Sequence, residues 1–282
     1  MSIKRGLVAN WMTREVITVS PETTLHSARR IMDMKRIRAL PVVRDGQLVG
    51  IVTRRGLLRA DPSNIPLAEA WEKRYPLDQE TVERVMTSPV ITIAEDAQVG
   101  KAARVMLENK IAALPVVDGN RNMVGILTSS DLFRLVIEEM EGETQRTLVK
   151  SWMTPDPETI SPDTTLLEAH RLMGVKRIRA LPVIEAGALV GIVTRTDLMG
   201  ADPSRLYTRG AQEESREIVQ QPVRLIMTSP VRTIHEDETM VEAARLMLTH
   251  KFHSLPVLSA QGQLTGIVTE TDIFHMIVHK GW

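Results

Sequence analysis

The chain contains no cysteine, which excludes disulfides and thiolate metal sites and fits a reducing compartment. Aromatic side chains make up only 3% of its 282 residues, too few for the stacking platforms that hold single-stranded bases. Neither sign of charge is in excess, since 35 Lys and Arg balance 35 Asp and Glu. A protein that grips nucleic acid through its backbone needs a concentrated positive surface, and this composition argues against one. Long apolar runs are missing as well. Leu48-Val49-Gly50-Ile51-Val52 stops far short of the ~20 residues of a membrane helix, and residues 4–10 have no sustained apolar region of the signal-peptide kind. The expectation is a soluble, cytoplasmic protein that engages neither nucleic acid nor membrane.

What the chain does have is repetition. Arg36-Ile37-Arg38-Ala39-Leu40-Pro41-Val42 returns 141 residues later as Arg177-Ile178-Arg179-Ala180-Leu181-Pro182-Val183, and Met86-Thr87-Ser88-Pro89-Val90 returns at the same offset as Met227-Thr228-Ser229-Pro230-Val231. Shorter echoes link Met12-Thr13 to Met86-Thr87, and Leu40-Pro41-Val42-Val43 to Leu114-Pro115-Val116-Val117. The chain is four copies of one unit arranged as two similar pairs. Each unit is too short to bury a good core alone, so the pair is the expected folding entity.

The second copy shows the internal order. Residues 89–93 have the β-branched content of a strand. Val99, Ala102, Ala103, Val105 and Met106 recur at helical spacing, with Asp96 as the candidate cap. Residues 113–117 read as a buried strand, Asp118-Gly119-Asn120 as a turn, residues 123–128 as a third strand, and a second helix starts near Ser130-Asp131. The predicted fold is α+β, with four strand–helix–strand–strand–helix repeats. Their boundaries fall at 1–63, 85–140, 151–204 and 225–282, joined by linkers at 64–84, 141–150 and 205–224.

Met-Thr before the first strand, Leu-Pro-Val in the second and Gly-Ile-Val-Thr-x-x-Asp after the third, recurring in order along nearly the whole chain, resemble the cystathionine β-synthase (CBS) domain family. That resemblance implies two tandem pairs, called Bateman modules, each with pseudo-twofold symmetry and two clefts that hold adenosine-containing ligands. A closed disc of the two modules, and a homodimer, are both compatible with it.

The third strands lead into Thr128-Ser129-Ser130-Asp131, Thr194-Arg195-Thr196-Asp197 and Thr269-Glu270-Thr271-Asp272. A carboxylate there can accept both hydroxyls of a ribose, and the neighbouring hydroxyls sit at a helix start that favours anions. The same residues also suit plain helix caps. The first copy departs from the pattern, reading Thr53-Arg54-Arg55-Gly56 with no acid. Three residues before the Leu-Pro-Val proline the copies carry Arg38, Ala112, Arg179 and His253, where family members place a base to meet phosphate.

By the family's geometry, Asp131 shares a cleft with Arg38, Asp197 with His253, Asp272 with Arg179, and Gly56 with Ala112. The Gly56/Ala112 cleft has lost both acid and base and is predicted to be vacant. Adenine would lie against Val16 and Ile17 opposite Asp131, Val231 opposite Asp197, and Pro157 opposite Asp272, all of which suit ordinary core equally well. His250, His253, His275 and His279 have helical spacing, but without cysteine or an HExxH motif no metal site is assigned.

No GxSxG, no phosphate loop and no GxGxxG follows a strand. The leading reading is a non-catalytic sensor that needs no cofactor. It binds AMP, ADP or ATP, with S-adenosylmethionine and NAD also compatible, and it signals to a separate protein partner not identified by the sequence. The rival reading is a ligand-independent scaffold or oligomerisation protein.

Overall fold

A computed structural model of the chain describes residues 6–60, 80–140, 147–200 and 219–282. Most of the expected linkers, at 64–79, 141–146 and 205–218, lies outside the described residues. Two compact units are present: Met1–Leu132 together with Ile277–Trp282, and Phe133–Met276.

In the first unit the order is α1 (Val8–Trp11), α2 (Leu25–Lys35), β1 (Ala39–Arg44), β2 (Gln47–Thr53), α3 (Arg54–Ala60), β3 (Ile93–Ala94), α4 (Val99–Asn109), β4 (Ala113–Val117), β5 (Met123–Thr128) and the start of α5 (Ser129–Met140). Helix α2 forms because Leu25, Ala28 and Met32 fall on one stripe, which is buried. Thr24 caps its start by accepting from the Ser27 N–H, and the helix ends where Arg36 turns left-handed at φ 53°. Helix α4 buries Val99, Ala102, Ala103 and Met106 in the same way. Its N-cap position is Gln98, with no side-chain cap, so Asp96, the candidate cap from the sequence, lies two residues upstream of that position and does not cap the helix. Strands β1 and β2 meet through Asp45 and Gly46, both at positive φ (51° and 78°). That is the two-residue turn whose twist matches a hairpin.

The second unit repeats this with β6 (Thr154–Pro155), α6 (Leu166–Val175), β7 (Ala180–Glu185), β8 (Ala188–Thr194), α7 (Arg195–Gly200), β9 (Ile234–His235), α8 (Met240–His250), β10 (Ser254–Leu258), β11 (Leu264–Thr269) and the start of α9 (Glu270–Lys280). Thr165 and Glu168 close α6 with a reciprocal capping box. The core of the first copy contains Val19, Leu25, Ala28, Met32, Leu40, Val42, Val52, Leu57 and Val82. The core of the third contains Ile160, Leu166, Ala169, Met173, Leu181, Val183, Val193, Leu198 and Val223. Every member has its counterpart at the 141-residue offset, so one packing solution serves both units.

Val82 and Val223 are instructive. Both are fully buried in short 3₁₀ turns, Val82–Arg84 and Val223–Leu225, in segments expected to be linker. Each turn opens the next copy yet completes the core of the preceding one. The exchange is mutual, since the Val8 N–H donates to the Ala97 carbonyl at 2.9 Å and the Val149 N–H to the Glu238 carbonyl at 2.8 Å. Two copies therefore interlock, and neither core is complete without the other.

The same interlocking shortens the first strands. Of residues 89–93, expected as a strand, only Ile93 joins β3, which pairs in parallel with Val116 and Val117. In the first and third copies the strand is a single bridge, Val19 to Val42 and Ile160 to Val183. The Met-Thr end of each segment pairs instead with the partner's third strand: Thr13 with Ile126, Thr87 with Ile51 and Thr228 with Ile192, and β6 with β11. One stretch is divided between two sheets, so it pairs fully with neither. Among the described residues no helix is long and apolar enough to cross a membrane.

Candidate functional site

In three copies the tetrapeptide folds into one device. The Asp131 Oδ2 accepts from the Thr128 N–H and from its hydroxyl, both at 2.7 Å. Asp197 does the same with Thr194 at 2.8 and 2.7 Å, and Asp272 with Thr269 at 2.7 and 2.9 Å. Thr sits at the N-cap and Asp at the third helical position, so each acid closes its helix start. The helix-cap role is thus real, and it uses one oxygen of a group with about four acceptor sites. In the first copy only half of the device survives, with the Gly56 N–H donating to Thr53 Oγ1 at 3.1 Å.

Exposure separates the acids. Asp131 is 3% exposed, whereas Asp197 and Asp272 are half-buried. Burial pushes the Asp272 carboxyl above the usual carboxylate range, opposed by its two hydrogen bonds from Thr269 and by the nearby His275 imidazole. Of the remaining hydroxyls, Thr196 and Thr271 are exposed and Ser130 is half-buried.

The backbone sets these tetrapeptides beside the Leu-Pro-Val strands. The second residue of each donates its N–H to the carbonyl three residues before the proline: Arg54 to Arg38 at 2.8 Å, Ser129 to Ala112 at 3.1 Å, Arg195 to Arg179 at 2.8 Å and Glu270 to His253 at 3.0 Å. Side chains then reach across the pair. Arg38 donates to Ser129 Oγ at 3.3 Å, which brings it to the Asp131 tetrapeptide. Arg179 donates to Glu270 Oε1 at 2.8 Å, which brings it to the Asp272 tetrapeptide. His253 approaches Glu270 as well, with Nδ1 3.0 Å from Oε2, although this close approach lacks hydrogen-bond alignment. The imidazole thus stands on the tetrapeptide of its own copy, and the structure gives no contact that joins it to Asp197.

Glu270 escaped the sequence reading because an acid in the first turn of a helix is already accounted for by the helix dipole. Its singularity among Arg54, Ser129 and Arg195 at that place was the available signal.

The aliphatic candidates have mixed placements. Val231 lines a cavity of about 460 Å³ together with Leu189, Val190, Pro230 and Leu258. Neither Asp197 nor His253 is among its lining residues. Val190 and Thr194 are four residues apart on β8, about 13 Å along the strand, so the apolar wall stands well away from the Thr194 that binds Asp197 at the start of α7. Ile17 packs against the first copy's core, and Val16 and Pro157 are half-buried. Pro157 follows Asp156, whose N–H donates to the Thr265 carbonyl at 3.3 Å.

At the predicted vacant cleft, Arg54 turns to Asp33 at 3.1 Å and Arg55 is exposed. Among the described residues a side chain at Gly56 would meet Thr53 Oγ1 alone, at 3.4 Å, so their packing does not require glycine there. The Ala112 carbonyl accepts from the Ser129 N–H of its own copy at 3.1 Å. Of the histidines, His250 stacks on Phe252 with ring centroids 5.4 Å apart. Among the described residues no group of three or more His, Cys, Asp or Glu is placed to hold a metal ion.

The signature glycines and methionines explain one another. A Cβ on Gly125 would come 2.6 Å from Met12 Sδ and 3.0 Å from the Thr13 carbonyl. Gly50 faces Met86, Gly191 faces Met227 and Gly266 faces Met153 in the same way. The glycine of each third strand makes room for the methionine of its partner copy.

The CBS-domain model matches this chain four times, at residues 8–63, 82–138, 149–204 and 223–279. The chain belongs to the CBS-domain family. These matches begin at the opening turns and so take in Val82, Val149 and Val223. Similar proteins of related length include MJ1225 of Methanocaldococcus jannaschii, 28% identical over 269 residues, covering 92% of this chain and 94% of that one. MJ1404 of the same organism is 30% identical over 274 residues, covering 94% of this chain and 60% of its own length. The crystal structure of MJ1225, proposed to be an archaeal homolog of g-AMPK, superimposes with a TM-score of 0.76 at 26% identity, over 96% of this chain and 99% of that one. A conserved protein from Pyrococcus horikoshii shares the fold with a TM-score of 0.66 at 24% identity, covering 96% of this chain and all of its own.

Proposed function

We propose that this CBS-domain protein is a non-catalytic regulatory protein that binds adenine nucleotides in the clefts between paired repeats and passes the binding event to a separate protein. The observation that carries the reading is the Thr-x-x-Asp device. Its carboxylate is held rigidly by two hydrogen bonds at a helix start, with acceptor capacity left for the two hydroxyls of a ribose. Thr196 and Thr271 are exposed beside it, and Arg38 and Arg179 reach the Asp131 and Asp272 tetrapeptides. The likeness to MJ1225, itself proposed as an archaeal homolog of g-AMPK, supports AMP, ADP and ATP as the leading ligands. Asp197 and Asp272 offer the more accessible carboxylates, while a ribose reaches the 3% exposed Asp131 only by displacing a neighbour. Signalling then requires a partner with different affinities for the liganded and unliganded arrangements.

The test is a thermal-shift panel of AMP, ADP, ATP, NAD and S-adenosylmethionine. A true ligand stabilises by ~2.7 kcal/mol at a hundredfold excess over its Kd. The 2′-deoxy analogue and the Asp197→Asn and Asp272→Asn variants lose that gain. A flat response to all five ligands favours the scaffold reading, in which the three acids serve as caps alone.

A further inference from the structure

The second position of the tetrapeptide divides the four copies by what their side chains do. In the first and third copies it is an arginine that folds back on its own repeat: Arg54 reaches Asp33 at 3.1 Å, and Arg195 donates to the Met173 carbonyl at 3.0 Å. In the second and fourth copies it meets the base offered by the partner. There the two units part. Arg38 meets the neutral hydroxyl of Ser129 at 3.3 Å, whereas Arg179 meets the carboxylate of Glu270 at 2.8 Å. Glu270 also faces His253, 3.0 Å away. The Glu270 side chain is 6% exposed, while those of Arg179 and His253 are 49% and 33% exposed. The carboxylate therefore lies beneath two basic residues that present themselves outward. The helix does not need it as a cap, because Asp272 and Thr269 already close that end.

We propose that Glu270 is a specificity-determining residue that sets the charge class of ligand accepted by the second unit. The proposal rests on the nucleotide reading above. Arg179 and His253 are the residues of this unit placed to meet a ligand's phosphates, and the one Glu270 carboxylate binds the first and lies 3.0 Å from the second. An incoming phosphate must share Arg179 with Glu270 and approach that carboxylate at close range. Like charges brought together are strongly disfavoured, and the penalty grows with each further phosphate. The second unit therefore takes adenosine ligands with at most one phosphate. The first unit, with Ser129 at the same place, tolerates the more highly charged ones.

Isothermal titration of adenosine, AMP and ATP into the full chain tests this, using Asp131→Asn to weaken the first unit. The quantity read is the ratio of ATP to adenosine affinity in Glu270→Ser and Glu270→Gln. The serine is the residue this chain itself uses at 129, and the glutamine keeps the shape should the serine variant misfold. The expected result is at least a ~10-fold rise in that ratio, with adenosine affinity little changed. The reciprocal Ser129→Glu, in the otherwise native chain, lowers the ratio at the first unit by a similar factor. If ATP and adenosine affinities move in parallel, Glu270 is only a structural ion-pair partner and the proposal fails. If ATP affinity falls in Glu270→Gln, the carboxylate orients Arg179 for phosphate, and the proposal is overturned in the opposite sense. Failure of every ligand to bind wild type and variants removes the nucleotide reading and this inference together, whereas binding with an unchanged ratio removes the inference alone.

Discussion

Gly56 stands where the other three copies place an acid, so Gly56→Asp reveals what that acid does without any ligand. The receiving site is already built. Thr53 Oγ1 accepts the residue-56 N–H at 3.1 Å, as Thr194 accepts that of Asp197 at 3.3 Å. Among the described residues a new Cβ meets that hydroxyl alone, at 3.4 Å, and Gly56 is not among the residues at positive φ. The variant gains on three counts. Replacing glycine inside a helix recovers roughly 0.5–1 kcal/mol. A carboxylate in the first turn adds about 0.3–1 kcal/mol through the helix dipole. A reciprocal hydrogen bond to the Thr53 N–H completes the capping box. Gly56→Ala contains the first gain alone. Urea denaturation should therefore rank Gly56→Asp above Gly56→Ala, and Gly56→Ala above wild type, with ~1 kcal/mol between the two variants. The gap should shrink in acid as the new carboxylate protonates. Equal stability of the two variants at neutral pH would refute the view that the Asp of this device works as a cap. Nucleotide titration of the same protein addresses the cleft: with Ala112 still in place of a base, the restored acid alone is expected to add no binding event.

Gly125→Ala forces Met12 aside and should cost ~1–3 kcal/mol by overpacking; in a double-mutant cycle with Met12→Ala the two losses should couple by more than ~0.5 kcal/mol, and strict additivity would show that the methionine does not occupy the glycine's space. The raised carboxyl of Asp272 means that the folded state holds that proton more tightly than the unfolded chain does. Its contribution to stability is therefore greatest below the normal Asp range and is lost as pH rises through the raised value. Asp272→Asn should accordingly gain on wild type as pH rises through and above the normal Asp range near ~4, and a variant that loses ground there contradicts the sign. Arg179→Met strips the buried Glu270 of a charged donor and should cost ~1–3 kcal/mol in chemical denaturation; adding Glu270→Gln should recover much of it, and no recovery would mean that Arg179 stabilises by packing alone.

Much of the fold was legible along the chain because it rests on local signals. The apolar stripe of Val99, Ala102, Ala103 and Met106, the Asp118-Gly119-Asn120 turn and the repeated Gly-Ile-Val-Thr-x-x-Asp each act within a few residues. Fourfold recurrence then established the family and the pairing of copies. The acids Asp131, Asp197 and Asp272 could be picked out, and so could both readings of them, cap and ligand. Other features depended on tertiary structure. No local pattern marks Val82 as core, since its packing partners belong to the preceding repeat. The first strands looked longer than they are because one stretch had to serve two sheets. Arg38 meets Ser129 and Arg179 meets Glu270 across 91 residues of chain, and in each unit the partner's chemistry decides what that arginine's charge is used for. Sequence determined which residues could carry charge and hydroxyl groups at these helix starts. Only folding decided that one buried glutamate would stand between Arg179 and His253, because a side chain takes its rotamer and its partner from the pair of repeats and not from its own segment.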